Sequence, residues 1–378
     1  MNFDYSDDQQ QLADSVRKYL TNEYDFDKRK AIIRSAEGLS EAAWTTFAEM
    51  GLTAIALPEA DGGFGGGAVD LMASMEACGE ALVVEPLIDN IGLAARLVAR
   101  GGSAGQRAAL LPGVIDGSLR LAFAYLEPGA RYALAPSKTT ARAEGDGWII
   151  DGDKTVVIGA PSAGRLIVSA RTGGAAGSAD GVSLFIVDSA APGVTLSPCR
   201  TVDGQRAADV RLSAVKVSGD ALLSAAGSAM PLIEEAIDFA TALQCADAIG
   251  TMKNANDATL EYLKTRKQFG APIGAFQALQ HRMVDMYIVC EQARSMAILA
   301  ATKVDAGGDP AERQRAVSSA KIKIADAARQ VSQEAVQLHG GMGMTEEMKV
   351  SHSFRRLTMI GQRFGDADHH LERYAALS

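Results

Sequence analysis

Residues 232–338 carry the pattern that most limits how this chain can fold: three long, helically spaced apolar runs separated by only two breaks. Leu232, Ile233, Ala236, Ile237, Ala240, Leu243 and Gln244 open the first run, which carries on to Thr265. Gly270 and Pro272 stop it, as glycine just past a helix and proline soon after commonly do. The second run extends from about Gly274 to Ala306, with Phe276, Leu279, Met283 and Met286 at helical spacing. Asp309-Pro310 opens the third, an N-cap followed by proline at N1, and it continues to about Leu338. Long helices joined by short breaks pack antiparallel, and the last helix of the chain completes a four-helix bundle.

The same period governs the N-terminal part. Ser6 and Gln9 have the spacing of a capping box, and Leu12, Val16, Tyr19 and Leu20 then share one helix face. A helix from about Ser40 carries Trp44 and Phe47 and stops at Gly51; further helices fit Leu71–Leu82, Ile91–Ala99 and Gln106–Ile115. The glycine-rich Asp61–Gly67 lacks the Lys-Ser/Thr of a phosphate loop and follows no clear strand, so it is read as a turn. From Arg120 the period shortens. Leu121–Leu126, Thr139–Ala143, Trp148–Ile150, Thr155–Ile158, Leu166–Ala170, Ser183–Val187 and Val210–Val217 are short and rich in β-branched or aromatic residues. Asp146-Gly147, Asp151-Gly152 and Pro192-Gly193 punctuate them as turns. The expected fold is α+β and multidomain. It has an N-terminal helical domain (1–118), a central antiparallel β-barrel or sandwich (119–220) and a C-terminal four-helix bundle (221–378).

Charge and cysteine content narrow the function classes. A net charge of -9 argues against nucleic acid, whose backbone demands clustered Lys and Arg. Cys78, Cys199, Cys245 and Cys290 lie far apart without metal-ligand spacing, so they read as buried free thiols in a reducing compartment. Met1–Asp8 is acidic where a signal peptide would be basic and then apolar, and no apolar run approaches a membrane span. The expectation is a cytoplasmic protein without membrane partners.

Between the first two long helices, Lys264, Arg266 and Lys267 gather beside Phe269 at an exposed corner. Arg offers planar donors that match phosphate oxygens, so the corner suits a phosphate-bearing ligand. Taken alone, though, these residues read better as a solvated basic helix end favoured by the helix dipole.

Arg266-Lys-Gln-Phe-Gly270 followed by Phe276-Gln277, with Gln337-Leu-His-Gly-Gly-Met-Gly343 downstream and Glu127-Pro-Gly129 upstream, resembles the acyl-CoA dehydrogenase family. The resemblance is collinear over nearly the whole chain. Tyr262–Gly270 and Phe364-Gly-Asp-Ala-Asp-His-His-Leu371 are most similar to the small subunits of pimeloyl-CoA dehydrogenase-like members. What the resemblance implies is FAD-dependent α,β-dehydrogenation of an acyl-CoA, with electrons passing to an electron-transferring flavoprotein. It places Arg266, Phe269 and Gln277 on the adenosine and diphosphate half of FAD. It places Gln337, Gly340 and Gly341 on the same cofactor from a neighbouring subunit, and Ala367 and His369 near the adenine. His339 is read as a packing residue, and the implied assembly is a homotetramer or a heterotetramer with a homologous large subunit.

Two stretches depart from the family pattern. Leu126 stands where a Thr usually precedes Glu-Pro-Gly, and Val156-Val157-Ile158 replaces a Trp-Ile-Thr run. Backbone N–H groups around Tyr125, Leu126 and Ile158 remain available to hold the flavin ring. The base also departs. Phe364 and Gly365 fall where the family has Tyr-Glu, Asp366 comes one residue late, and the alternative position on the first long helix falls at Ala240, followed by Thr241. Either Asp366 swings in as the base, or the chain is a half-site subunit whose partner supplies one. A non-enzymatic scaffold is a further alternative. Asp368, His369 and His370 lack a third ligand at suitable spacing, so no metal is expected.

Overall fold

The computed structural model describes residues 5–377, so the first four residues of the acidic N-terminus lie outside it. Helices α1 (Asp7–Glu23), α2 (Phe26–Arg34), α3 (Glu41–Glu49), α4 (Ala68–Ala81), α5 (Ala95–Gly101) and α6 (Ala104–Ile115) precede the strands. Strands β1 (Leu121–Ala124), β2 (Thr140–Glu144), β3 (Gly147–Ile158) and β4 (Arg165–Arg171) follow, then β5 (Val182–Asp188), β6 (Val194–Arg200), β7 (Arg206–Ser218) and β8 (Leu222–Leu223). Helix α7 (Met230–Thr265), a hairpin of β9 (Lys267–Gln268) and β10 (Ala271–Pro272), α8 (Gln277–Asp305), α9 (Pro310–His339), α10 (Lys349–Gln362) and α11 (Ala367–Ala376) complete the chain. The order is a helical N-terminal region, a central β-sheet region and a C-terminal helical region.

Contacts group the chain into two compact units. Among the described residues, one gathers 5–31 with 68–83 and 241–377, the other 32–67 with 84–240. In the first unit both arms of the Ser6–Gln9 capping box are made, at 3.3 and 2.9 Å. The α4 and α7 backbones touch: a Cβ on Gly79 would lie 2.1 Å from the Asp247 carbonyl oxygen, and one on Gly250 1.9 Å from that of Glu76. Only glycine permits such an approach. Asp247, buried, takes Arg356 of α10 in an ion pair at 2.7 Å.

In the second unit the strands form one sheet in the order β6-β7-β3-β2-β4-β5-β8, with β1 parallel to β4. Alternate residues of these strands, among them Ile150, Leu166, Val168, Phe185 and Val210, make its apolar core. The structure corrects four expectations. The sheet is mixed rather than antiparallel throughout, since β1 and β2 both pair in parallel with β4. Trp148–Ile150 and Thr155–Ile158 belong to one strand, β3, because Asp151-Gly152 is a bulge rather than a turn. The Asp151 carboxylate accepts the Ala214 N–H at 2.7 Å, and the register shifts there. Strand β6 was missed because it is an exposed edge carrying Pro198, which an edge tolerates. Cys199 lies exposed on that edge rather than buried; the four cysteines are free. No described helix is long and apolar enough to cross a membrane.

Candidate functional site

The basic corner is a β-turn of unusual backbone. Phe269 and Gly270, the central residues of the β9–β10 hairpin, both have positive φ (52° and 80°), the signature of a type I′ turn. Glycine suits that conformation; a bulky aromatic there is a steric outlier. Phe269 gains no burial in return, being 92% exposed with only an edge contact to Phe276 at 6.2 Å between ring centres. Arg266 sits just past the end of α7, exposed, its N–H on the Tyr262 carbonyl at 2.8 Å and its own carbonyl holding Ile273 N–H at 2.8 Å. Gln277 is the exposed first residue of α8.

The second motif reaches the same end of the helices. Tyr262 stacks on His339 at 4.4 Å, so the last turns of α7 and α9 meet. Gln337 is exposed, and its carbonyl accepts the N–H of Gly340, which adopts φ 59°. Neither Gly340 nor Gly341 has any atom within 4 Å of where a Cβ would point. His339 is buried, its Nδ1 2.8 Å from the Ala335 carbonyl oxygen, and burial lowers its pKa, so at neutral pH it packs as a neutral ring.

The central sheet holds the other candidates. Tyr125 and Leu126 leave β1 with both carbonyls taken: Lys154 Nζ donates to Tyr125 O at 3.1 Å and Thr155 N–H to Leu126 O at 2.9 Å. Glu127 is buried and accepts N–H groups of Ser137, Lys138 and Thr139 at 2.9, 3.0 and 2.7 Å. Burial alone would raise its pKa, but those donors and Lys154, 3.5 Å away, hold it at about 2. Ile158, buried at the end of β3, pairs with Ala207. Val156 two residues earlier is 42% exposed at φ 50°, pinned there because Asp209 Oδ1 accepts its N–H at 3.0 Å and the Thr155 hydroxyl at 2.7 Å.

The turn Phe364–Asp366 is clamped on its carbonyls. Lys321 Nζ donates to the Gly365 carbonyl at 2.8 Å and to that of Ile360 at 2.7 Å; His370 Nε2 lies 3.1 Å from the Phe364 carbonyl. Gly365 has φ 120°, and a Cβ there would lie 2.4 Å from His369 Cδ2 and 2.7 Å from His370 Nε2. Asp366 is the N-cap of α11, its Oδ1 accepting His369 N–H at 2.9 Å. Asp366, Ala367 and Asp368 also line a cavity of about 500 Å³ with Arg329, Gln333 and Gln362. Ala240 and Thr241 are buried.

Sequence reasoning missed the two lysines that organise these places. Each carries a local signal: Lys321 falls with Val317, Ile324 and Ala328 on the buried face of α9, and Lys154 lies inside a strand. A lysine on an apolar helix face is rarely buried unless it has carbonyls or charges to hold.

FAD is accommodated by what these places offer. The space over Gly340 and Gly341 is open for close backbone approach to an anion. The Leu126 N–H has no hydrogen-bond partner among the described residues, a donor left over in a half-buried loop.

Comparison with known proteins agrees with these observations. The acyl-CoA dehydrogenase N-terminal, middle and C-terminal domain families match residues 6–118, 122–216 and 227–376. Acyl-CoA dehydrogenase FadE12 of Mycobacterium tuberculosis (strain ATCC 25618 / H37Rv) is 34% identical over 357 residues, 92% of this chain and 89% of that one. The solved Tcur3481-Tcur3483 steroid ACAD is 32% identical, with a TM-score of 0.86 over 98% of this chain and 97% of that one. An FAD complex of PigA is 25% identical, with a TM-score of 0.91 over 100% and 98% of the two chains. On this evidence the chain belongs to the acyl-CoA dehydrogenase family.

Proposed function

We propose that this chain is an FAD-binding subunit of an acyl-CoA dehydrogenase in which a carboxylate of a homologous partner subunit removes the α-proton of the acyl-CoA substrate. The carrying observation is the Phe364–Asp366 turn. A side chain at Gly365 would meet both histidines, and the Asp366 carboxylate is occupied as a helix cap. Bound FAD would supply the acceptor for the hydride that leaves the β-carbon. This chain's residues bind and orient it. Arg266, Phe269 and Gln277 would hold its adenosine and diphosphate half, and Ala367 and His369 would lie near the adenine. Gln337, Gly340 and Gly341 serve the cofactor of a neighbouring subunit. Backbone groups of Tyr125, Leu126 and Ile158 hold the ring.

The reading includes an electron-transferring flavoprotein as acceptor and a tetramer, homomeric or with a large subunit. The similar steroid ACAD, named for two chains, supports a paired assembly. A β-barrel followed by a four-helix bundle, with domain limits near 118 and 220, goes with it. A second reading keeps Asp366 as the base, favoured by its place on the 500 Å³ cavity.

Anaerobic flavin bleaching by an acyl-CoA panel separates the two. The half-site reading expects no bleaching by the chain alone, bleaching by the complex that co-purifies with it, and the same bleaching when the complex carries Asp366→Asn. Bleaching by the chain alone that Asp366→Asn abolishes would establish the second reading instead.

A further inference from the structure

Leu126, in the loop after β1, presents an unused backbone donor, and a buried charge stands behind its peptide. Tyr125 C=O and Leu126 N–H belong to the same planar peptide unit. The carbonyl end accepts from Lys154 Nζ at 3.1 Å, while the N–H end has no partner among the described residues. A cation on the carbonyl draws electron density through the amide and makes its N–H a stronger donor, because linked hydrogen bonds polarise one another.

Lys154 is suited to this. Its side chain is wholly buried, and its other contacts are Ser169 Oγ at 3.2 Å and Glu127 at 3.5 Å. Glu127 is its counter-charge, but Nζ lies nearer the Tyr125 carbonyl, at 3.1 Å against 3.5 Å, so an ammonium N–H still acts directly on the loop. Burial lowers the ammonium to about 8 against the pull of Glu127, so it remains charged at neutral pH. Thr155 N–H fixes the next carbonyl, that of Leu126, so the peptide is held in place from both sides by β3.

We propose that Lys154 is a positioning residue for the flavin: it polarises the Tyr125–Leu126 peptide so that Leu126 N–H donates to the ring and favours the reduced cofactor. Charge near the ring is one of the means by which proteins tune a flavin. The inference rests on the flavin reading above and adds to it. It explains how a chain with Leu126 in place of a hydroxyl still offers the ring a strong donor: the donor is backbone, reinforced by the lysine.

The test is a spectroelectrochemical titration of the FAD-loaded protein, with its co-purifying partner where one is present. Lys154→Met should weaken the preference for reduced over oxidised flavin about tenfold, a drop of about 30 mV for a two-electron couple. Lys154→Arg should recover most of that drop, which a role in packing alone would not require. An unchanged potential in folded, FAD-loaded Lys154→Met overturns the proposal and leaves the flavin reading standing. A wild-type protein that takes up no FAD overturns both. If Lys154→Met does not fold, Lys154→Gln, uncharged but still carrying an N–H donor, takes its place with Glu127 left intact. The same drop is expected there; a potential equal to that of the wild type, or aggregation of this variant too, assigns Lys154 to folding alone and overturns the proposal.

Discussion

Phe269 occupies a backbone conformation that costs a bulky residue of order 1 kcal/mol or more, and it stands almost fully in solvent. Nothing among the described residues repays that cost, which fits a ring kept for a ligand. Phe269→Gly should therefore raise stability by about 0.5–1 kcal/mol and weaken FAD binding at the same time. Thermal melts of apoprotein and an FAD titration check the two halves, and a variant losing stability would remove the strain argument. At the Phe364–Asp366 turn, Asp366 caps α11, and Asn caps a helix as well as Asp does. Asp366→Asn should thus melt like the parent, whereas Asp366→Ala should lose about 1 kcal/mol. Because Asn keeps the cap but cannot take a proton, it separates scaffold from base in one substitution. Gly365→Glu, which tries to restore the family's base, should cost about 1–3 kcal/mol, since φ 120° and the two histidine rings oppose it. A denaturant midpoint equal to that of the parent would show that the turn has room after all.

At the scale of elements, the junction of α10 and α11 depends on two buried polar side chains. Lys321 holds carbonyls of Ile360, Gly361 and Gly365; His370 lies between Ser318 Oγ at 3.2 Å and the Phe364 carbonyl at 3.1 Å. Burial first, then Lys321 and Arg373, push His370 down to about 3 from 6.5. The unfolded chain takes up this proton below about pH 6.5 while the folded chain refuses it until about 3, so stability present above 6.5 is lost as pH falls. The slope is about 1.4 kcal/mol per pH unit for one group. His352, lowered to about 4, acts in the same direction. Urea midpoints at pH 7, 6 and 5 should show His370→Asn losing its disadvantage as pH falls; a constant gap would place the acid sensitivity elsewhere. This junction was only half legible in the sequence. The helices were, because α7, α8 and α9 repeat their apolar residues at helical spacing over many turns and end at Gly, Pro or Asp-Pro signals. Strand β3 was cut in two because Asp151-Gly152 has turn chemistry wherever it stands; only its partner Ala214 makes it a bulge. The clamp on Gly365 is hidden because Lys321 and Gly365 are distant in sequence and meet only through a hydrogen bond made in the fold.

At the scale of the whole molecule, helix α8 buries one face through Met286, Cys290, Ala293 and Ala297 and leaves another apolar face uncovered. Phe276, Val284, Tyr287 and Ile288 follow helical spacing on that second face, exposed by 41, 54, 60 and 46%. Scattered apolar residues on a surface need no explanation, but a stripe along one helix marks an interface. The stripe begins at Phe276, next to the Phe269 hairpin and to Gln277. A subunit covering α8 would therefore arrive beside the residues proposed to hold FAD, and assembly and cofactor retention would be linked. Charge placed in the stripe tests that linkage. Tyr287 and Ile288 lie about three turns along α8 from the hairpin, and Tyr287→Glu and Ile288→Glu each put a carboxylate where an interface would strip it of water, at a cost of several kcal/mol. Light scattering after gel filtration should then show smaller particles, with FAD released in proportion to the dissociated fraction and far-ultraviolet circular dichroism unchanged. A full-sized, fully flavinated assembly carrying both substitutions would mean that α8 faces solvent and that subunits meet through another surface.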